Sequence, residues 1–385
     1  MKRIFYFLFA GLLGFSCSNQ TKDLQVTVEN PSDFDRTEEL VEVLVESITA
    51  KVKLADSTQT YIVKNSKGEI VPTQITYDGK LVFQSGVKAK ESAVFTITTG
   101  AKEEYKAKTY GRLVTERKDD FAWENDRVAF RIYGPALLPI DGPSNGLDIW
   151  YKRTNDLKID QWYKDDIAGV ASYHDDHGEG LDDYKVGRSL GAGAMAPFVN
   201  GKLVLNENFA SAEVLENGPL RTTFKLSYKD IDIDGKTYKE SRTFSIDAGS
   251  QLSKVVQEYG VSDAIDVAAG FSKREKNDTI IVSPEKDYLI YREPSEKAGN
   301  VFLGLVFPNG IDSTTIDTYD VVNPVNNTKG TFTHVLAITK YQPNTPITYY
   351  TGYGWTKFGF ETEAAFQTYL NNFSKGLKQP LIVKF

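Results

Sequence analysis

Three segments, LRTTFKLSY (Leu220–Tyr228), KESRTFSID (Lys239–Asp247) and LSKVVQEY (Leu252–Tyr259), decide the fold class. Each is a run of alternating apolar and polar residues, the period of a strand with one buried face. Turn signals separate them from each other and from their neighbours: Asn200-Gly201, Asn217-Gly-Pro219 and Asp234-Gly235. The pattern continues on both sides, through 202–205 and 210–215 before them. After them come 265–271, 279–282, 301–307, 331–338 and 347–353. Antiparallel strands of this length and number exceed a small sandwich and suit a large two-sheet β-sandwich.

Upstream, a second β unit is expected at 23–100. Leu24, Val26 and Val28 face one way, and Gln25 and Thr27 the other. Short strands at 61–63, 74–77, 81–83 and 93–97 follow, with turns at Asn65-Ser-Lys-Gly68 and Asp78-Gly79. Residues 38–47 fit strand and helix equally poorly. A charged link, 101–109, leads into the large sandwich, expected over 101–385. One helix is expected at 361–375, where Phe366, Tyr369, Leu370 and Phe373 form a stripe, Thr362 caps and Lys375-Gly376 closes. A terminal strand is expected at 381–385. No internal repeat, P-loop or dinucleotide fingerprint is present.

The chain begins with an export pattern. Lys2 and Arg3 precede an apolar run, Ile4–Phe15, too short to span a bilayer. Gly14-Phe-Ser-Cys17 follows in the manner of a lipobox, and Cys17 is the single cysteine among 385 residues. The expectation is a signal peptide at 1–17, lipidation at Cys17, a tether at 18–22, and a lipoprotein on the periplasmic or cell-surface side of a membrane. A net charge of −7 excludes nucleic acid as the main partner, because phosphate binding needs a basic face. Aromatic richness, with 21 Tyr and 22 Phe beside 2 Met, agrees with strands.

Titratable chemistry is concentrated in one window, Ser172–Pro197. Two of the three histidines, His174 and His177, are interleaved with Asp175, Asp176, Glu179, Asp182 and Asp183, and followed by Tyr184, Lys185 and Arg188. Five glycines let the backbone turn sharply through it. Proton chemistry at a sugar needs a base, an acid and a group that holds developing charge. His174 or His177 supplies the base, and Tyr173 or Tyr184 the acid. Lys185 and Arg188 suit the carboxylate of an acidic sugar. β-Elimination at a uronate fits this set slightly better than hydrolysis, which needs two facing carboxylates such as Glu179 and a neighbour. A divalent cation (calcium, zinc or manganese) on His174, Asp176, His177 and Glu179 is a further candidate, although the i, i+3 histidine spacing is not that of a zincin. The blander reading is a solvated, glycine-rich acidic loop.

Before the window, Val128, Phe130 and Ile132 alternate with Arg127, Ala129, Arg131 and Tyr133. Charged strand faces are usually solvated, yet long polar residues on a broad sheet also line sugar clefts, so Arg127 and Arg131 are candidate substrate contacts. Trp150 reads as core. Trp123 and Trp162 read equally as core or as stacking platforms, and Trp162 is retained as a candidate sugar contact. His334 lies in an alternating strand and reads as a satisfied sheet histidine.

Four stretches, VENPSDFDRTEE (28–39), WENDRVAFRIYGPAL (123–137), YHDDHGEGLDDYKVGRSLGAG (173–193) and ENGPLRTTFKL (216–226), resemble the lipoproteins that carry domain of unknown function 4861. The resemblance covers nearly the whole chain after the export pattern. It implies a setting of polysaccharide degradation in Gram-negative bacteria, beside unsaturated glucuronyl or rhamnogalacturonyl hydrolases, and hence pectin-like, uronate-containing glycans. In outline the chain is also similar to the mutarotase-like sandwich. The expected function is a carbohydrate-active lipoprotein acting on an acidic oligo- or polysaccharide. The alternatives are a non-catalytic glycan-binding lipoprotein and a sugar epimerase or mutarotase.

Overall fold

A computed structural model describes residues 23–233, 235–274 and 276–385. The expected signal peptide, Cys17 and the expected tether lie outside these residues. The chain is mainly β: a small N-terminal β-sandwich precedes a large antiparallel two-layer sandwich.

In the small sandwich, strand Ser92–Ala101 pairs with Leu24–Glu29 on one side and Gln59–Lys64 on the other. The facing sheet is built from Leu40–Leu44, Lys80–Gln84 and Thr73–Ile75. Val26, Val28, Val41, Val43, Phe83 and Phe95 fill the space between. The ambiguous stretch 38–47 resolves into strand Leu40–Leu44 running directly into a one-turn helix, Val45–Thr49, which explains why neither period fitted. The chain's last strand, Ile382–Lys384, pairs with Thr27–Glu29, so the C-terminus returns to the first sheet instead of closing the large sandwich.

The large sandwich has an eight-stranded layer ordered Ser211–Asn217, Arg221–Ser227, Glu240–Asp247, Leu252–Tyr259, Ile347–Trp355, Gly299–Val306, Tyr288–Ser295 and Thr279–Val282. The facing layer is two five-stranded sheets. One contains Thr109–Val114, Asp120–Asn125, Ala129–Ile132, Asp148–Lys152 and Gly180–Leu181, and the other contains Lys202–Leu203, Ala192–Val199, Ile265–Ser272, Lys329–Tyr341 and Ser313–Val322. They meet at a parallel bridge between Leu147 and Gly191. A continuous apolar core runs between the layers and includes Trp123, Phe130, Phe224, Phe244, Tyr353 and Trp355. Trp123 is therefore core, its indole N–H donating to the Ser253 hydroxyl at 3.0 Å.

The helix Glu363–Lys378 packs Phe366 and Leu370 on the outer face of the eight-stranded sheet. Thr362 caps it, accepting from the Ala365 N–H at 3.2 Å. A second helix, Ile159–Ile167, covers the outer face of the sheet that carries Arg131. Its start is fixed from below. One Glu124 carboxylate oxygen accepts the N–H groups of Lys158 and Ile159 at 2.6 and 2.7 Å, and the other pairs with buried Lys152 at 2.6 Å. An anion at a helix N-terminus satisfies otherwise orphaned donors. Among the described residues no helix is long and apolar enough to cross a membrane.

Candidate functional site

The strand Ala129–Ile132 directs Phe130 and Ile132 into the core and Ala129 and Arg131 to the other face. That face is neither solvated nor an open cleft, because the helix Ile159–Ile167 and the loop that follows lie on it. Arg131 is consequently 2 % exposed. It stands opposite Asp148 on the neighbouring strand, and its Nε and Nη2 donate to one Asp148 oxygen at 2.9 and 2.5 Å. Nη2 also donates to Asp182 at 2.8 Å. The rings of Tyr133, Trp150 and Tyr173 surround the guanidinium at 4.8, 4.9 and 5.6 Å. A desolvated cation against aromatic faces gains electrostatic attraction that water does not weaken.

One guanidinium between two dry carboxylates leaves an excess negative charge. Burial and the Asp148 carboxylate push the Asp182 carboxyl well above the usual carboxylate range, although Arg131 pulls it down. A second ion pair extends the cluster: Arg117 lies 3.3 Å from buried Asp120, whose pKa burial also raises. The Tyr133 hydroxyl donates to Asp148 at 3.1 Å, and burial raises its pKa.

His174 lies at the exposed edge of this cluster, with its side chain 60 % exposed. Its Nδ1 is 3.1 Å from the Asp182 carbonyl oxygen and 3.5 Å from the Asp182 carboxylate. A carbonyl only accepts, so Nδ1 carries the proton and Nε2 is left with the lone pair. The arrangement is an oriented imidazole whose Nδ1–H is held by the carbonyl of Asp182, a residue that a buried arginine fixes in place. The Lys297 ammonium, from the hairpin joining Tyr288–Ser295 to Gly299–Val306, donates to the His174 carbonyl and lies 3.2 Å from Asp175.

The other candidates from the window are dispersed. His177 is exposed, and its Nε2–H donates to the Ser172 carbonyl at 3.1 Å. Asp176 pairs with Arg153 at 2.9 Å and Glu179 with Lys158 at 2.6 Å. Among the described residues no three His, Cys, Asp or Glu side chains converge to hold a metal ion. Tyr173 is buried, stacked on Trp150 at 4.7 Å, and accepts from Arg131 at 3.4 Å. Tyr184 is buried under Arg274, donates to the Gly191 carbonyl at 2.8 Å, and has its pKa raised by burial. Arg188 donates to the carbonyls of Asn206 and Leu205 at 2.5 and 2.7 Å, and so clamps the loop. Lys185 is exposed, and its carbonyl accepts from Arg274. Arg127 turns away to pair with Glu38 of the small sandwich at 2.7 Å. Trp162 is 9 % exposed and packs on Trp150, which leaves no open stacking face.

His334 is fully buried and belongs to the loop's anchorage. Its Nε2 accepts the Leu190 N–H at 3.0 Å, while burial and nearby Arg274 lower its pKa to about 4. Two glycines allow the loop to lie this close. A side chain at Gly191 (φ +63°) would stand 2.1 Å from the Leu147 carbonyl, and one at Gly180 (φ +128°) 1.8 Å from that of Tyr151. The contributions of Asp148, Asp182, Tyr133 and Lys297 were not apparent in the sequence. Asp148 sits in an ordinary buried strand, and Lys297 lies more than a hundred residues from the histidine it contacts.

The overall architecture is similar to that of an alpha-mannosidase from Enterococcus faecalis. The likeness covers 94% of this chain and 46% of that one, with a TM-score of 0.50 and 10% identity. A glycosyl hydrolase family 38 protein from the same organism gives 0.47, with 94% and 47% covered at 10% identity. The chain thus spans about half the length of these proteins, and at such identity the likeness is one of fold. An uncharacterized protein of Formosa agariphila is 28% identical over 397 residues, covering 98% of both chains. The profile described as Domain of unknown function (DUF4861) matches residues 28–383, and the chain belongs to that family.

Proposed function

We propose that the protein is a carbohydrate-active enzyme acting on uronate-containing glycans, with His174 as the proton-transfer residue and β-elimination as its reaction. The observation that carries this reading is the exposed imidazole of His174, oriented through Nδ1 by Asp182, itself fixed by buried Arg131. Nε2 would take the proton beside the sugar carboxylate. The electron pair left on that carbon forms the new double bond as the glycosidic C–O bond breaks, and water protonates the leaving oxygen. The Lys297 ammonium, held at the His174 carbonyl, would exchange its contact with Asp175 for the uronate carboxylate. The window's acidity does not repel an acidic chain outright, because Asp176 and Glu179 are paired with Arg153 and Lys158. Hydrolysis has less support. The carboxyl with the raised pKa, Asp182, is buried beneath Arg131, and the exposed carboxylates are engaged in ion pairs. An imidazole on an open surface also suits a long chain better than a small sugar. An exported, lipid-anchored location at a membrane surface belongs to the same proposal.

The test is a panel of pectic and other uronate oligosaccharides, followed by ultraviolet absorbance and by reducing ends. Elimination gives both signals. Reducing ends without absorbance would replace it with hydrolysis, and binding with neither signal would leave a glycan-binding protein.

A further inference from the structure

A cleft elsewhere in the molecule shares no lining residue with the His174 cluster. It lies between the small sandwich, the outer face of the eight-stranded sheet and the C-terminal helix, with a volume of about 740 Å³. Two of the four stretches by which the chain resembles its family, 28–39 and 216–226, contribute to it and have no part in the His174 cluster.

Its floor follows from strand register. Glu216 is opposite Thr223, Thr223 opposite Ser245, Ser245 opposite Lys254, and Lys254 opposite Tyr350. These five residues form one row across five adjacent strands, roughly 19 Å long at the usual inter-strand spacing. Their neighbours Phe224, Phe244, Val255 and Tyr349 point into the core, so the row faces outward. A sheet face covered by another layer is ordinarily apolar. Here it is polar, and the small sandwich reaches its Glu216 end, where the Gln74 amide and the Tyr77 N–H donate to Glu216 at 3.0 and 3.2 Å. Gln74 accepts from the Leu220 and Arg221 N–H groups at 3.0 and 2.8 Å, and Arg221 pairs with Glu42 at 2.6 Å. Within the row, hydrogen bonds join Ser245 to Thr223 at 2.9 Å and Thr223 to Glu216 at 2.7 Å.

The charges restrict what fits. Arg36 pairs with Glu39, Lys80 with Glu42 and Asp78, and Arg221 with Glu42 and Asp247. Among the described residues Lys254 has no carboxylate within ion-pair distance. Carboxylates outnumber cations in the lining, so a polyuronate is disfavoured. The Ser245 hydroxyl, braced from below by buried Thr223, the Lys254 ammonium, and Tyr350, which meets Phe373 edge-on at 5.0 Å, suit the hydroxyls and apolar ring face of a neutral sugar. We infer that this cleft binds a neutral oligosaccharide, laid along the row from Ser245 to Tyr350. Such a site would recognise neutral chains or side branches in the glycan. It is independent of the chemistry assigned to His174.

The test is isothermal titration calorimetry on the whole protein with xylo-, manno- and galacto-oligosaccharides, and with oligogalacturonate as the acidic contrast. At least one neutral series should bind. Lys254→Ala and Ser245→Trp, on the half-buried middle of the row, should each weaken that binding about tenfold or more without changing the melting temperature. His174→Ala should leave it unchanged, so this inference and the enzymatic reading can fail separately. The inference is overturned if no neutral series binds, if binding survives both cleft variants, or if oligogalacturonate competes for the same site. If Ser245→Trp fails to fold, Lys254→Ala, on an exposed residue, still decides the matter.

Discussion

Replacing Arg131 with methionine keeps much of the side-chain volume and removes the charge. Asp148 and Asp182 would then lie without their cation in a place where Arg131 itself is 2 % exposed. Removing one partner of a buried ion pair typically costs about 3–5 kcal/mol, because the remaining charge stays desolvated. Unfolding entropy near 60 °C is about 2.1 cal/mol/K per residue, or about 0.6 kcal/mol/K for a sandwich of about 280 residues. The melting temperature should therefore fall by roughly 5–8 °C. The deficit should depend on pH in one direction. Asp182, already raised by burial, would be raised further without Arg131, so it binds a proton that the unfolded chain releases, and stability drops as pH rises above the ordinary carboxylate range. Calorimetric melts between mildly acidic and mildly alkaline pH read this directly. Adding Asp182→Asn to Arg131→Met should restore part of the loss. A deficit below about 1 kcal/mol, or one independent of pH, would show that the carboxylates are not held by Arg131 and would refute the account of the cluster.

Further outcomes follow from the same geometry. Asp182→Asn alone removes a carboxyl whose folded pKa is raised, a group that costs stability as pH rises; the variant should therefore gain on the wild type toward alkaline pH, measurable by the same melts. Tyr184→Phe should lose about 1 kcal/mol by losing its bond to the Gly191 carbonyl, with turnover unchanged, whereas a fall in turnover would return Tyr184 to a role as acid. Gly191→Ala should destabilise the chain severely, since both φ and the Leu147 carbonyl oppose a side chain there; wild-type melting would contradict the loop geometry. A chelator should leave melting and turnover unaltered, because the Asp176 and Glu179 carboxylates are committed to Arg153 and Lys158, and a loss of either would show that the loop rearranges around a cation.

The sheets were legible because alternation survives in the sequence wherever one strand face is buried. Val128, Phe130 and Ile132 enter the core as their spacing demands, and Thr362 caps the helix its position marks. What alternation cannot report is what covers the other face. Arg131 reads as a cleft residue until the helix Ile159–Ile167, only nine residues long, is seen lying over it. The concentration of titratable groups at 172–188 was legible, but not their division. A glycine-rich loop turns successive side chains to different surroundings, which leaves His174 against Asp182, Arg188 on the carbonyls of Leu205 and Asn206, and Tyr184 under Arg274. Pairings between distant segments left no mark, among them Arg131 with Asp148, Lys297 with His174, and the last strand with the first.

The central claim is that His174, presented by Asp182 and Arg131, moves the proton. Steady-state turnover of the wild type, His174→Ala and His177→Ala on a uronate oligosaccharide, read by the absorbance of the new double bond, tests it most directly. The account predicts loss of turnover for His174→Ala with an unchanged melting temperature, and near wild-type turnover for His177→Ala. Turnover that survives His174→Ala would contradict it.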